Sequence, residues 1–177
     1  FDGHLDPAIA DTISSIAKER FGIAATLNTC TQVHGATVQR AKRENAWREG
    51  DSCDALWTTE RGVALGIKVA DCLPVTLGDP ARGVLVNVHS GWRGAVQRIT
   101  AAAIDTAGLD PRAAWAWLGP AIRACCFEVG EEVVEQFTAI YEDAGRFIDR
   151  SAAKPHIDVA ALIETLVPRY LTRGAAG

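Results

Sequence analysis

Leu73-Pro74-Val75-Thr76-Leu77-Gly78-Asp79-Pro80-Ala81-Arg82-Gly83-Val84-Leu85-Val86-Asn87-Val88-His89-Ser90-Gly91-Trp92-Arg93-Gly94 holds, in order, an apolar run, a turn, a second apolar run and the start of a helix. The runs at 75–78 and 84–88 are short, β-branched and bounded by turn residues, which is the pattern of buried strands. Residues 79–83 read as a hairpin turn, so residues whose numbers add to about 162 lie opposite one another. That pairing carries Cys72 and His89 to the same open end of the hairpin. A register shift of one residue changes which face each side chain takes, and Pro74 invites such an irregularity, so proximity is predicted and orientation is left open. From Trp92 onward, Trp92, Val96, Ile99, Ala103 and Ala107 form one helical stripe. Free backbone N–H groups at that helix start, with Gly91 and Gly94 allowing close approach and Arg93 beside them, form an anion site next to His89.

Outward from this stretch, Asp6-Pro7 has the form of a helix cap followed by an N1 proline, and apolar spacing predicts a helix over 7–21. A threonine-rich strand is predicted over 25–34, with His34 at its exit, and a surface loop over 42–51. Further strands are predicted at 55–59, 63–69 and 115–118, and helices at 130–141 and 158–170. Asp158 is read as the cap of the last helix and Pro168 as its end or kink. Strands clustered centrally with helices at both ends predict an α/β fold bordering on α+β: a single-domain layered α/β/α sandwich around a mixed β-sheet.

The 177 residues are enough chain for one domain with a substantial core. A net charge of −4 argues against a nucleic-acid binder that neutralises phosphates, and points to a small-molecule partner. No apolar run is long enough to span a membrane. Five scattered cysteines do not form a secreted disulfide framework, so a reducing cytoplasm is the expected home. The chain contains no methionine and reads as processed or as part of a longer protein.

Thiolate and imidazole both suit Zn2+, and three protein ligands with one open position is a catalytic arrangement. His34, Cys72 and His89 are the candidates. Spacing alone leaves two readings open, because no pair matches a short-range finger or metalloprotease pattern and Cys72 is equally readable as a small buried hydrophobe. Without metal, Cys72 activated by His89 would make a cysteine hydrolase. His4 and His156 read as structural or solvent-exposed, Cys30 and Cys53 as fillers, and Cys125-Cys126 as two small packed residues.

Four ordered motifs go further: Thr31-Gln32-Val33-His34-Gly35, Ala70-Asp71-Cys72-Leu73-Pro74-Val75, His89-Ser90-Gly91-Trp92-Arg93-Gly94, and Gly119-Pro120-Ala121-Ile122 with Cys125-Cys126-Phe127-Glu128-Val129-Gly130. Together they resemble the YfiH family, also called the laccase-domain or multicopper polyphenol oxidase family and described as purine nucleoside phosphorylases. The resemblance implies a zinc held by His34, Cys72 and His89, with copper as the alternative metal. It implies phosphorolysis of adenosine, inosine and methylthioadenosine with adenosine deaminase activity, or copper-dependent oxidation of phenols. Cys72, His89, Asp71 and Arg93 are the expected catalytic residues, with Asp71 or Ser90 supporting the metal ligands and Arg93 beside the anion site. Ser90, Gly91, Arg93 and Gly94 are expected to bind substrate and phosphate, and a homodimer acting on nucleoside and phosphate is the expected assembly. It also implies that 1–177 is one domain lacking parts of both termini. Arg123-Ala124 departs from the glycine and proline common before the two cysteines.

Overall fold

In the computed structural model, which describes residues 7–44 and 52–173, the hairpin is the centre of the fold. Its strands, β5 (Leu73–Asp79) and β6 (Val84–Ser90), lie in a five-stranded mixed sheet with β2 (Val38–Arg40), β3 (Ala55–Thr58) and β7 (Trp115–Leu118). The spatial order is β2-β3-β6-β5-β7, antiparallel except for the β2/β3 pair. A separate parallel ribbon pairs β1 (Thr26–Asn28) with β4 (Val63–Leu65).

The hairpin register differs by one from the predicted pairing: Val75 faces Val88 and Pro74 faces His89, so opposed numbers add to 163. The loop causes the difference. Four residues, 80–83, connect Asp79 to its partner Val84, and Gly83 takes the left-handed conformation (φ 65°) that closes the turn. The Asp79 carboxylate accepts the N–H groups of Arg82 (3.1 Å) and Asp110 (2.9 Å), which fixes the loop from inside.

Period-two alternation then divides the sheet into two faces. Leu73, Val75, Leu77, Val84, Val86 and Val88 point into the main core, and α3 (Ile99–Ala107), α4 (Glu131–Ile140) and α5 (Val159–Arg173) cover them with Ile99, Ala103, Phe137, Leu162 and Ile163. Val75, Leu77, Val86 and Val88 are fully buried, each contributing about 1.5–3 kcal/mol. The opposite face carries Thr76, Asn87, His89 and Leu56. Asn87 donates to the Leu65 carbonyl at 3.1 Å and so ties the ribbon to the sheet. Cys30, Cys53 and Leu56 form a small second core there, with Leu65 and Ile67 against it. α1 (Pro7–Phe21) packs on β1. No helix among the described residues is long and apolar enough to cross a membrane.

Several elements depart from expectation for identifiable reasons. The strand predicted over 25–34 shortens to β1 and an isolated bridge between Thr31 and Ser52, and 63–69 shortens to β4. Beyond them the Gln32 side chain takes over the pairing: its Nε2 donates to Lys68 O (2.7 Å) and its Oε1 accepts Lys68 N–H (2.8 Å). β2 was not foreseen, being three residues of mixed polarity. The helical stripe from Trp92 to Ala107 breaks into α2 (Trp92–Val96) and α3, because Arg98 sits in the left-handed region (φ 61°). The Tyr141 hydroxyl donates to the Ala95 carbonyl at 2.5 Å, and the Arg98 guanidinium donates to Ile140 O at 3.2 Å, so contacts from α4 hold the break. Pro168 neither ends nor visibly stops α5, which continues to Arg173 with Leu166, Val167 and Leu171 buried around it. Asp158 caps α5 as expected, accepting the Ala161 N–H at 2.9 Å. His156 is half-buried in a two-residue strand, while Asp6, His4 and most of the 42–51 loop lie outside the described residues.

Candidate metal centre

The register of the sheet builds the site. Because numbers adding to 163 oppose, Cys72 and His89 share the face away from the helices; at 162 they would have stood on opposite faces. Ala55 opposes Val88, so Asp54 stands beside His89, and the pair is joined by a hydrogen bond from the His89 backbone N–H to Asp54 O at 2.7 Å. The Asp54 side chain is fully buried. Its carboxylate accepts the His89 ring Nδ1 at 2.8 Å, which leaves Nε2 as the free ligand atom.

The same carboxylate shapes the His34 loop. It accepts the backbone N–H groups of Val33 (3.3 Å), His34 (2.9 Å) and Gly35 (2.8 Å). His34 is thereby held at φ 60°, a conformation that costs a non-glycine residue about 1–2 kcal/mol, offset here by charge-assisted hydrogen bonds. One buried aspartate therefore positions two imidazoles.

The donor atoms of His34, Cys72 and His89 all lie within 4.8 Å of one another. His34 Nε2 stands 3.9 Å from Cys72 Sγ, and the two imidazole rings meet edge to face at 4.7 Å. Gly91 keeps the space between them clear: a Cβ there would lie 2.8 Å from Cys72 Sγ and 3.2 Å from the His34 ring. Two imidazoles and a thiolate converging on one point, with a hydrogen-bonded carboxylate behind one of them, fit a zinc ion. Burial opposes charge on His89, but the Asp54 carboxylate and the Cys72 sulfur outweigh it and push the imidazole up to about 9 in the metal-free chain. Desolvation and the neighbouring His89 hold His34 below the ordinary imidazole range. Burial works against the Asp54 charge, yet His89 and the three N–H groups hold its carboxyl below the usual carboxylate range.

The three side chains open onto a cavity of about 340 Å³ whose wall also includes Gln32, Lys68, Val69, Ala70 and Asp71. Asp71 is exposed, and its carbonyl accepts the Ile122 N–H at 3.0 Å. Arg93 is exposed, with its guanidinium 4.4 Å from the centre of the Trp92 ring, and its charge reaches His34. Gly94 is buried where a Cβ would press on Gly35 O (3.2 Å) and Ile99 (3.1 Å), so this glycine packs the helix start against the His34 loop. Ser90 corrects the sequence expectation. It opposes Leu73 on the core face, and its hydroxyl is buried with no hydrogen-bond partner among the described residues, so it is turned away from the cavity. Cys125 and Cys126 also depart from expectation, being exposed rather than packed. Asp54 is the functional residue that sequence reasoning missed. The only available signal was a carboxylate opening a strand predicted to be buried.

A family model described as multi-copper polyphenol oxidoreductase laccase matches residues 6–169. A purine nucleoside phosphorylase of Deinococcus radiodurans is 34% identical over 168 residues, covering 89% of this chain and 64% of that protein. A protein named adenosine deaminase RL5, from an unknown prokaryotic organism, is 38% identical over 116 residues, covering 63% of this chain and 45% of that one. The crystal structure of the Neisseria meningitidis protein NMB0706 superposes with a TM-score of 0.78 at 28% identity, covering 93% of this chain and 67% of its own. The chain thus spans 64% of the length of the Deinococcus relative.

Proposed function

The chain belongs to the multi-copper polyphenol oxidoreductase laccase family, and from that premise we propose that it is a zinc-dependent purine nucleoside phosphorylase with adenosine deaminase activity. The observation that carries this reading is the convergence of His34, Cys72 and His89 within 4.8 Å at the wall of a nucleoside-sized cavity. The names of the curated relatives, a purine nucleoside phosphorylase and an adenosine deaminase among them, support it.

His34, Cys72 and His89 would hold the metal, and zinc there would supply Lewis acidity toward a water or phosphate oxygen. Asp54 fixes the His89 ring so that Nε2 faces the cavity, and it keeps the Nδ1 proton in place. Cys72 gives up its thiol proton to become a ligand. Arg93, beside the backbone N–H groups of the α2 start, holds the phosphate. In phosphorolysis a phosphate oxygen bonds to ribose C1′ as the bond to the purine nitrogen breaks. In deamination a water oxygen bonds to C6 of adenine and ammonia leaves. Asp71 at the cavity wall takes a proton from the attacking water or phosphate and passes it to the leaving ammonia or purine. Adenosine, inosine and methylthioadenosine are the substrates, and the working form is a cytoplasmic homodimer.

The test is to incubate metal-quantified protein with adenosine, with and without phosphate, and to identify adenine, inosine and hypoxanthine. Adenine formed only with phosphate marks phosphorolysis, and inosine formed in both arms marks deamination. Phenol oxidation by the copper-loaded protein, with no nucleoside turnover by the zinc-loaded one, would overturn the reading. So would full zinc content and full turnover in Cys72→Ala.

A further inference from the structure

Cys125 and Cys126 take no part in the metal centre. They lie in a tight turn in which the N–H groups of Cys126 and Phe127 both donate to the Arg123 carbonyl at 3.0 Å. The turn is pinned on each side: Ile122 N–H donates to Asp71 O, the Arg123 guanidinium pairs with Asp158 at 2.9 Å, and Ile157 N–H donates to Phe127 O. Neighbouring side chains on an extended chain diverge, but this turn brings both sulfurs to the same side, 3.2 Å apart. Both side chains are exposed to solvent, whereas the other cysteine pair in the fold, Cys30 and Cys53, is fully buried. Two accessible sulfurs at this separation need to approach by only about 1.2 Å to reach disulfide length.

We propose that Cys125 and Cys126 form a redox-modifiable vicinal dithiol, which a low-molecular-weight disulfide such as oxidised glutathione converts to an eight-membered cyclic disulfide. The exchange runs in two steps. The Cys125 thiolate bonds to one sulfur of the small disulfide, whose S–S bond breaks and releases one thiolate, which takes up a proton. The Cys126 sulfur, having lost its proton to solvent, then bonds to the Cys125 sulfur and expels the second small thiolate. Two protein thiols are oxidised to one disulfide, and one small disulfide is reduced to two thiols. Adjacent Cα atoms are about 3.8 Å apart, shorter than the roughly 4.4–6.8 Å usual for bridged cysteines, so the ring is strained and reopens readily under excess thiol. Strained, exposed disulfides of this kind are the labile ones. Cys126, whose thiol is pushed up by the Cys125 sulfur beside it, is suited to act second as the resolving group.

The experiment is exposure of the purified chain to oxidised glutathione, an acid quench, alkylation of remaining thiols, and mass analysis of the peptide spanning 123–129. In the wild type that peptide is expected to lose two hydrogen atoms, carry no glutathione and resist alkylation until dithiothreitol restores it. In Cys126→Ser the ring cannot close, so Cys125 should retain glutathione at ~10-fold or more the wild-type level, since the resolving thiol is intramolecular in the wild type. Equal glutathione retention in both proteins would overturn the proposal, as would a wild-type peptide that stays fully open to alkylation while Cys72 reacts. These residues are exposed, so the substitution leaves the core intact, and the readout is independent of nucleoside turnover.

Discussion

Gly91→Ala separates what the metal centre needs from what the fold needs. Gly91 sits at φ −67°, ψ 169°, an extended conformation open to any residue, so glycine is not required there by the backbone. The added methyl would stand 2.8 Å from Cys72 Sγ and 3.2 Å from His34 Cδ2. Unstrained contacts between such atoms begin near 3.5–4.0 Å, so Cys72 must retreat by about 0.7–1.2 Å. Its half-exposed side chain can do that by rotating outward at little cost to the metal-free protein. A metal site tolerates only about 0.2 Å of error in ligand distance, so the same rotation removes the thiolate from the donor set. Zinc affinity should fall at least ~100-fold, or about 2.7 kcal/mol. Urea unfolding in the presence of a chelator should be unchanged or shifted up by no more than about 1 kcal/mol, because alanine restricts the unfolded chain. Affinity is read by competition with a chromogenic zinc chelator. If Gly91→Ala bound zinc as tightly as the wild type, the space between Cys72 and His34 would not be where the metal sits.

Asp54→Asn replaces a four-bond acceptor with a side chain that presents one oxygen and one amide donor to the same N–H groups, and should weaken zinc binding by ~10–100-fold in the same competition assay. Because the Asp54 carboxyl is held low, its stabilisation is present above the unfolded carboxylate value of about 3.9 and lost as pH falls further; acid unfolding of the metal-free protein should be less steep in Asp54→Asn. His89 has the opposite sign. Its stabilisation of the metal-free fold is complete below the unfolded imidazole value of about 6.5 and is lost as pH rises through about 9, so chelator-treated protein should weaken over that interval and His89→Gln should flatten the profile. Zinc competes with that same proton, and its apparent affinity should rise with pH up to about 9. Tyr141→Phe removes the hydroxyl that donates to Ala95 O at the break between α2 and α3, and should cost about 0.5–1.5 kcal/mol in urea unfolding with zinc affinity unchanged.

The parts of the fold that were legible in the sequence are those where one local signal decides the outcome. The hairpin, α1, β7 and α4 each combine a clear period with clear punctuation. What was not legible depends on partners far away in the chain. Arg98 adopts its left-handed conformation because Tyr141 and Ile140 supply contacts more than forty positions later, and no property of the stretch from Trp92 to Ala107 announces that. The ends of the strands expected at 25–34 and 63–69 are replaced by a glutamine side chain that mimics a strand neighbour, and propensity does not register such a substitution. In the site, His34, Cys72 and His89 were identifiable as residue types at strand ends. Asp54 was not, because its role rests on which residue opposes His89 across β3 and β6.

The register of one hairpin therefore decides whether Cys72 and His89 can meet on one face. A three-residue loop would pair 79 with 83, turn Cys72 toward the helices and leave His89 alone on the outer face. The four residues at 80–83, closed by Gly83 and clamped by the Asp79 carboxylate, impose the other pairing. The clamp lies at the opposite end of the strands from Cys72 and His89, some ten residues along the chain from His89. Its effect arrives through the pleat: once Asp79 faces Val84, every later pair follows, and Pro74, Cys72, His89 and Gly91 share one face. The β3 pairing adds Asp54 to that face by the same rule. A turn that touches no ligand is thus part of the specification of the site, and the ligands need no short-range spacing motif because the sheet supplies their spacing.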